Sequence, residues 1–344
     1  MSLEEPGWWY AREPTAVAGL LHPIGKLYGW VAEVRYERTK PYRARLPVVC
    51  IGNFTAGGTG KTPLVLHLCR HLIEIGQHPV ALSRGYGGTL PGPYWVDASR
   101  DRAAQVGDEP LLLAAQTRTV ICRDRVQGAK AIEHGPNTAS VIVMDDGLQN
   151  ASLAKDLSIA VIDGGRGFGN GRTIPAGPLR APLDFQMELA DAIVVNERAG
   201  SDGEMLELLR RQFAGPVLGA RVKTAGDTAW LKCAPVVAWA GIGAPERFFA
   251  LLEQAGAEVL SRHAFADHHS LSDVEATALV AAADRSDALL VTTEKDLARL
   301  AGAGGACDGL RARSRTLPIR LAFSDADAER LHDLVAAALS GRRG

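Results

Sequence analysis

The chain has 344 residues, enough for two ordinary domains that each bury a core of their own. Lys and Arg number 38 against 39 Asp and Glu, and a formal charge of −1 gives no reason to expect nucleic acid or another polyanion as partner. The five cysteines (Cys50, Cys69, Cys122, Cys233 and Cys307) form no Cys-x-x-Cys pair, which argues against a zinc site or a disulfide framework and fits reduced thiols.

The first forty residues differ in kind from the rest. Trp8, Trp9, Tyr10, Tyr28 and Trp30 are five of the twelve Trp and Tyr residues in the chain. They surround the apolar stretch Ala16 to Leu21 and precede a basic run with Arg35, Arg38, Lys40, Arg43 and Arg45. Aromatic rings prefer the headgroup boundary of a bilayer, and Lys and Arg meet anionic lipid there, so the segment reads as an interfacial helix; a helix packed on the protein is the alternative. Pro23 and Lys26 argue against a full span. No apolar run reaches about 18 residues, and acids stand where a signal peptide would be basic, so the body of the chain is expected to stay soluble in the cytoplasm.

Short apolar runs follow at Leu46 to Ile51, Val80 to Leu82, Thr119 to Cys122, Ser140 to Met144, Ile159 to Ile162 and Ala192 to Val195, with helical periodicity between several of them, first at Leu64, Leu68, Leu72 and Ile75. Strands alternating with helices predict an α/β fold with a doubly wound, mostly parallel sheet. The pattern loosens near residues 222 to 232 and restarts at Val236 to Ala240. It continues with helices over Pro245 to Ala255 and Asp273 to Ala283, a strand over Leu289 to Thr292 and a closing helix over Asp325 to Leu339. The expected division is a membrane-associating helix and basic run over 1–40, a nucleotide-binding domain over 41–227 and a smaller α/β domain over 228–344.

The first strand runs into Gly52-Asn-Phe-Thr-Ala-Gly-Gly-Thr-Gly-Lys61-Thr62-Pro63, a P-loop between strand and helix. Backbone N–H groups from Thr55, Ala56, Gly57, Gly58, Thr59 and Gly60 are placed to surround phosphate oxygens at the positive end of the helix. Lys61 supplies charge to the β and γ phosphates, and the Thr62 hydroxyl is placed for Mg²⁺. Thr55 stands where the usual pattern has its first glycine. Asp145 and Asp146, at the tip of an apolar run, supply the metal-holding carboxylate that such a site needs; two turn residues before Gly147 is the plainer alternative. ATP and Mg²⁺ are therefore the expected ligands. Thr293-Glu-Lys-Asp296 lacks the spacing of a guanine-reading motif, so adenine is favoured. These features fix phosphate chemistry and leave the acceptor open among a kinase, a ligase and a membrane-associated ATPase switch of the partitioning type.

Several segments together resemble the tetraacyldisaccharide 4'-kinase family of lipid A biosynthesis: residues 52 to 63, Ser83-Arg-Gly-Tyr-Gly-Gly88, Gly107-Asp-Glu-Pro110, Asp145-Asp-Gly-Leu-Gln149, Phe168-Gly-Asn-Gly171, Pro175-Ala-Gly-Pro-Leu-Arg180, Ala240-Gly-Ile-Gly243, Asp267-His268 and Thr293-Glu-Lys-Asp296. The resemblance implies transfer of the ATP γ-phosphate to the 4'-hydroxyl of an acylated glucosamine disaccharide 1-phosphate, at the cytoplasmic face of the inner membrane of a Gram-negative bacterium, as a peripheral enzyme with no obligate protein partner. It also implies that Asp108, paired with His268 from the second domain across a cleft, activates the sugar hydroxyl. Read alone, Asp108 and Glu109 ahead of Pro110 serve equally as a helix cap, and nothing local separates His268 from His269. Arg84 and Arg123, beside strand ends, are candidate phosphate contacts or plain surface residues, and Glu109 and Asp267 are candidate substrate contacts. The chain departs from the family pattern at Asn150, which replaces a more usual histidine.

Overall fold

Val48-Val-Cys-Ile-Gly52 is buried at every position, as are Pro79 to Ser83 and Val141 to Asp145. A strand covered on both faces is apolar throughout, which is the signature of a parallel sheet between helical layers. The computed structural model describes residues 5–11, 13, 15–135, 138–197 and 203–341; residues 1–4, 12 and 14 of the expected N-terminal segment lie outside the described residues. In chain order come α1 (Ala16–Arg38), β1 (Val48–Gly52), α2 (Lys61–Glu74), β2 (Pro79–Ser83), β3 (Tyr94–Trp95), α3 (Ala103–Val106), α4 (Asp108–Ala114), β4 (Arg118–Ile121), α5 (Arg125–Glu133), β5 (Val141–Asp145), β6 (Leu157–Asp163), α6 (Leu183–Glu188), β7 (Ala192–Glu197), α7 (Glu204–Gln212) and β8 (Val217–Thr224). The second half holds β9 (Pro235–Ala240), α8 (Pro245–Gln254), β10 (Glu258–Ala264), α9 (Asp273–Ser286), β11 (Leu289–Thr292), α10 (Glu294–Arg299), α11 (Gly305–Arg313), β12 (Ser314–Thr316), β13 (Ile319–Phe323) and α12 (Asp325–Ser340).

The larger sheet has nine strands in the order β13-β8-β7-β6-β1-β5-β2-β4-β3, parallel except where β13 and β3 close its edges. The smaller has four parallel strands in the order β10-β9-β11-β12. Alternate residues of each central strand feed opposite layers. Val49 and Ile51 pack with Leu64, Leu68 and Leu72 of α2 and with Leu331 and Val335 of α12. Val48 and Cys50 face Leu82, Val120, Ile132 and Met144 on the other side. Because β1 lies between β5 and β6, the chain leaves their carboxyl ends in different directions, and the crevice opened there is where doubly wound sheets hold ligands.

The expected boundaries need one correction. The second unit, expected over 228–344, does not keep its last strand and helix: β13 pairs antiparallel with β8, Leu321 opposite Val222, and α12 covers β1, β6, β8 and β13. Burial of Leu331 and Val335 on the large sheet draws the chain back. The N-terminal aromatics also divide. Trp9 is buried and donates from Nε1 to the Pro175 carbonyl at 3.2 Å, whereas Tyr28 and Trp30 remain exposed on α1.

Helix α1 turns its smallest side chains inward and its larger apolar ones outward. Ala18, Gly25 and Gly29 are its buried residues, and a Cβ on Gly25 would come within 2.7 Å of the Thr173 carbonyl oxygen, so the helix lies close on segment 173–182 through its smallest side chains. Val17, Leu20, Ile24, Leu27, Tyr28 and Val31, spaced for one helical stripe, point outward, with Leu20 80% exposed. No helix among the described residues is long and apolar enough to cross a membrane.

Candidate active site

The P-loop leaves β1 and enters α2 as its sequence pattern predicts. Gly60 takes a positive φ, and a Cβ there would meet Asn196 Nδ2 at 2.6 Å, so only glycine lets the turn close against β7. Asn53 holds the loop by donating to the carbonyls of Thr55 and Gly57, at 2.7 and 3.3 Å, and Gln149 donates to the Asn53 carbonyl at 2.7 Å. Thr55 forms a bridge with Leu179 and its carbonyl accepts from Arg180 Nε at 3.1 Å, so the non-glycine position is tied to the 173–182 segment.

Asp145 ends β5 and Asp146 follows with φ 52°. Arg180 Nη1 donates to both Asp146 oxygens at 3.1 and 3.0 Å, and Lys61 Nζ stands 3.6 Å from Oδ1. Burial works against the Asp146 charge, yet Lys61 and Arg180 outweigh it and hold the carboxyl well below the usual range. Asp145 is 1% exposed, with Oδ1 buried and without a hydrogen-bond partner. Burial, then the charges of Glu109 and Asp146, push its carboxyl up to about 7. A buried, unpartnered carboxylate oxygen beside two further acids is short of a cation. Among the described residues no three His, Cys, Asp or Glu side chains converge as an all-protein metal site. The unpartnered Asp145 oxygen and the Asp146 carboxylate beside it fit a divalent cation that binds through one or two carboxylates, water and substrate phosphate.

On the other side of the crevice Gly107, with φ 93°, turns the chain into α4 under the Tyr86 carbonyl, 2.4 Å from where a Cβ would lie. That turn aims Asp108 at the smaller sheet. His268 Nδ1 lies 3.0 Å from Asp108 Oδ2, and Arg299 Nε donates to the same oxygen at 2.6 Å. Lys295 Nζ stands 3.2 Å from Glu109 Oε1, 3.8 Å from Asp267 Oδ1 and 3.9 Å from Asp108 Oδ2. Burial disfavours the Asp108 charge, but the His268 hydrogen bond and the cations Lys295 and Arg299 hold this carboxyl far below the ordinary range. Asp108 is therefore an acceptor only, and a His268 ring that carries its proton on Nδ1 would donate to it and leave Nε2 open. His269 turns away, to Glu275 at 3.0 Å, with its ring stacked on Phe265.

The structure thus brings Asp108, Glu109, Asp267 and His268 into one cluster, and Lys61, Asp145 and Asp146 into another. Glu109 is the largest source of negative charge acting on Asp145, which ties the two clusters together. Arg84 and Arg123 are exposed, Arg123 donating to the Gly88 carbonyl at 3.3 Å, and among the described residues neither pairs with an acid. Asn150 closes a local turn, accepting from Ser152 N and Oγ.

The family described as "LpxK: Tetraacyldisaccharide-1-P 4'-kinase" matches residues 17–340. The chain belongs to the tetraacyldisaccharide 4'-kinase family. It is 47% identical over 320 residues to the tetraacyldisaccharide 4'-kinase of Paramagnetospirillum magneticum, covering 93% of this chain and 94% of that one. It is 46% identical over 343 residues to the enzyme of that name from Rhodopseudomonas palustris strain BisB18, covering 99% and 97%. The crystal structure of the "apo" form of LpxK from Aquifex aeolicus in complex with ATP superimposes with a TM-score of 0.73 at 25% identity, over 94% of this chain and 99% of that one. The chain is accordingly an ATP-binding phosphotransferase of this family.

Four residues of the site carry no role in the sequence reading: Arg180, Arg125, Lys295 and Arg299. Arg125, 3% exposed, donates to the carbonyls of Cys122 and Asp145 at 2.8 and 3.0 Å and fixes the end of β5. Arg180 and Lys295 lie inside segments that carry the family resemblance, and that was the available signal; Arg125 and Arg299 had none.

Proposed function

We propose that this kinase transfers the ATP γ-phosphate to the 4'-hydroxyl of a tetraacylated glucosamine disaccharide 1-phosphate, using the Asp108–His268 pair to take the hydroxyl proton. The observation that carries the mechanism is the single Asp108 oxygen shared by His268 Nδ1 and Arg299 Nε. His268 Nε2 accepts the proton as the sugar oxygen bonds to the γ phosphorus and the bond from phosphorus to the departing ADP oxygen breaks. The imidazolium that forms is stabilised by the Asp108 carboxylate and then gives its proton to water. Lys61 and the N–H groups of residues 55 to 60 hold the phosphates in line. Asp145, Asp146 and Thr62 would hold Mg²⁺, which neutralises charge on the β and γ phosphates when bound.

The outward apolar stripe of α1, followed by the exposed Arg35, Arg38 and Lys40, supports a peripheral position on the cytoplasmic face of the inner membrane. An enzyme that works at the lipid surface leaves the acyl chains of its acceptor in the bilayer, where extraction would cost about 0.8 kcal/mol per CH₂. The test is product analysis by mass spectrometry after incubating the pure protein with Mg-ATP and the tetraacyl disaccharide 1-phosphate. Asp108→Ala should lower turnover by about 10² to 10⁴ with nucleotide binding nearly intact. ATP hydrolysis with no phosphate on the lipid would overturn the acceptor, and near-full turnover would remove Asp108 from the mechanism.

A further inference from the structure

Arg299, the last residue of α10, uses each nitrogen of its guanidinium on a different element. Nη1 donates to the Gly241 carbonyl at 2.5 Å and to Asp296 Oδ1 at 2.7 Å, which anchors the fork to the end of β9 and to its own helix. Asp296 is 3% exposed and is fixed in turn by Thr293, whose hydroxyl donates to Asp296 Oδ2 at 2.6 Å while capping α10. With that end held by the smaller sheet, Nε reaches Asp108 on α4 of the larger one at 2.6 Å, and Nη2 stands 3.4 Å from His268 Nδ1. The second Asp108 oxygen accepts from Glu109 N at 2.8 Å, so the carboxylate is gripped through both oxygens. The side chain of Arg299 is 11% exposed.

We propose that Arg299 is a positioning residue for phosphoryl transfer, fixing the Asp108 carboxylate on His268 Nδ1 and making the base complete only when the end of the smaller sheet is docked on α4. The inference rests on the reading of Asp108 and His268 as the proton-accepting pair. A guanidinium has donors only, so it cannot compete with Asp108 for a proton on Nδ1, and its Nε bond orients the carboxylate that accepts it. A fixed fork is required because one side chain must hold Gly241, Asp296 and Asp108 at once, which the single ammonium of lysine cannot do in that geometry. Lys295 does not duplicate it, since it lies 3.9 Å from Asp108 and is nearer to Glu109 and Asp267.

The test is a double-mutant cycle on the full-length enzyme with labelled ATP and the tetraacyl disaccharide 1-phosphate in mixed micelles. Arg299→Gln should lower kcat by about 30-fold to 10³-fold while KM for ATP changes by less than about threefold, and Arg299→Lys should recover only a small part of the loss. In an Asp108→Asn background the same Arg299→Gln change should cost less than about threefold, because its target is already gone. Losses that multiply in the double variant, full rescue by lysine, or a KM for ATP that rises in step with the fall in kcat would each overturn the proposal. If Arg299→Gln fails to fold, Arg299→Lys carries the same comparison. Unimpaired turnover in Asp108→Asn alone would defeat the acid-base reading itself, an outcome separate from additivity at Arg299.

Discussion

Lys61 Nζ lies 3.6 Å from Asp146 Oδ1, and Arg180 grips the same carboxylate through both oxygens, so Asp146 is already neutralised while its neighbour Asp145 is not. The two aspartates should therefore respond oppositely to the loss of charge. Asp145→Asn removes a buried charge with an unpartnered oxygen, and in metal-free buffer it should leave the melting temperature unchanged or higher. Asp146→Asn strands two cations and should cost about 1 to 3 kcal/mol. Both should lose most activity. Thermal melts without Mg²⁺ check this; a lower melting temperature for Asp145→Asn than for Asp146→Asn would contradict it.

Acid should loosen the contact between the P-loop helix and the C-terminal helix. His67 of α2 packs on Phe323 with ring centroids 5.0 Å apart and faces His332 of α12, and Nε2 of both histidines is buried without a partner. Burial first, then the charges of His332, His71 and Arg70, lower the His67 pKa to about 4. The unfolded chain takes up this proton near pH 6.5 and the folded protein only near pH 4, so stability is full above 6.5 and falls as the pH drops through that window. The loss is about 3 kcal/mol at most. Denaturant melts at about pH 7 and about pH 5 should show a smaller difference for His67→Phe than for the wild type. An equal difference would mean that His67 takes up its proton at the same pH in the folded and the unfolded chain.

The elements that position the site were legible where local physics decides them. Runs such as Val141 to Asp145 are apolar at every position because both sheet faces are covered, and the glycines before Lys61 are what a phosphate cradle requires. What stayed hidden depends on distance along the chain. Arg299 meets Asp108 across 191 residues, and no spacing rule connects them. His268 and His269 are equivalent in sequence; only the αL conformation of His268, with φ 61°, turns one ring toward Asp108 and leaves the other on Glu275. Ile319 to Phe323 carries no strand expectation in the sequence reading, and its place beside β8 goes with the burial of Leu331 and Val335 of α12 on the larger sheet. Trp9 and Trp30 look alike in sequence, yet one packs inside and the other stands outside.

Glu5 sits on the P-loop. Its Oε1 lies 1.5 Å from where a Cβ on Gly57 would be, and Oε2 accepts from Arg166 Nη1 at 3.0 Å. An anion against a loop built to receive phosphate competes with the nucleotide. Glu5→Gln should therefore lower KM for ATP by about threefold to tenfold and leave kcat near its wild-type value. Steady-state kinetics over ATP concentration decide it, and an unchanged KM would show that Glu5 leaves the cradle at no cost.

Two changes on opposite faces of α1 should separate docking from lipid binding. The inner face has no room: a Cβ at Gly25 would come within 2.7 Å of the Thr173 carbonyl oxygen and one at Gly29 within 3.1 Å of Pro182. Gly25→Val should push the helix off segment 173–182, lower stability by about 1 to 3 kcal/mol and expose the link between α1 and β1 to protease. The outer face is exposed among the described residues. Leu20 and Leu27 are 80% and 60% exposed, so Leu20→Glu with Leu27→Glu should leave the melting temperature in place, since exposed substitutions rarely exceed about 0.5 kcal/mol. The same pair should weaken sedimentation with anionic vesicles by about tenfold or more, because two apolar side chains are lost from the interface and two negative charges face the lipid. Turnover should fall on acceptor presented in vesicles and stay near normal on acceptor dispersed in detergent micelles. Equal vesicle binding by the double variant and the wild type would show that the stripe does not meet the bilayer.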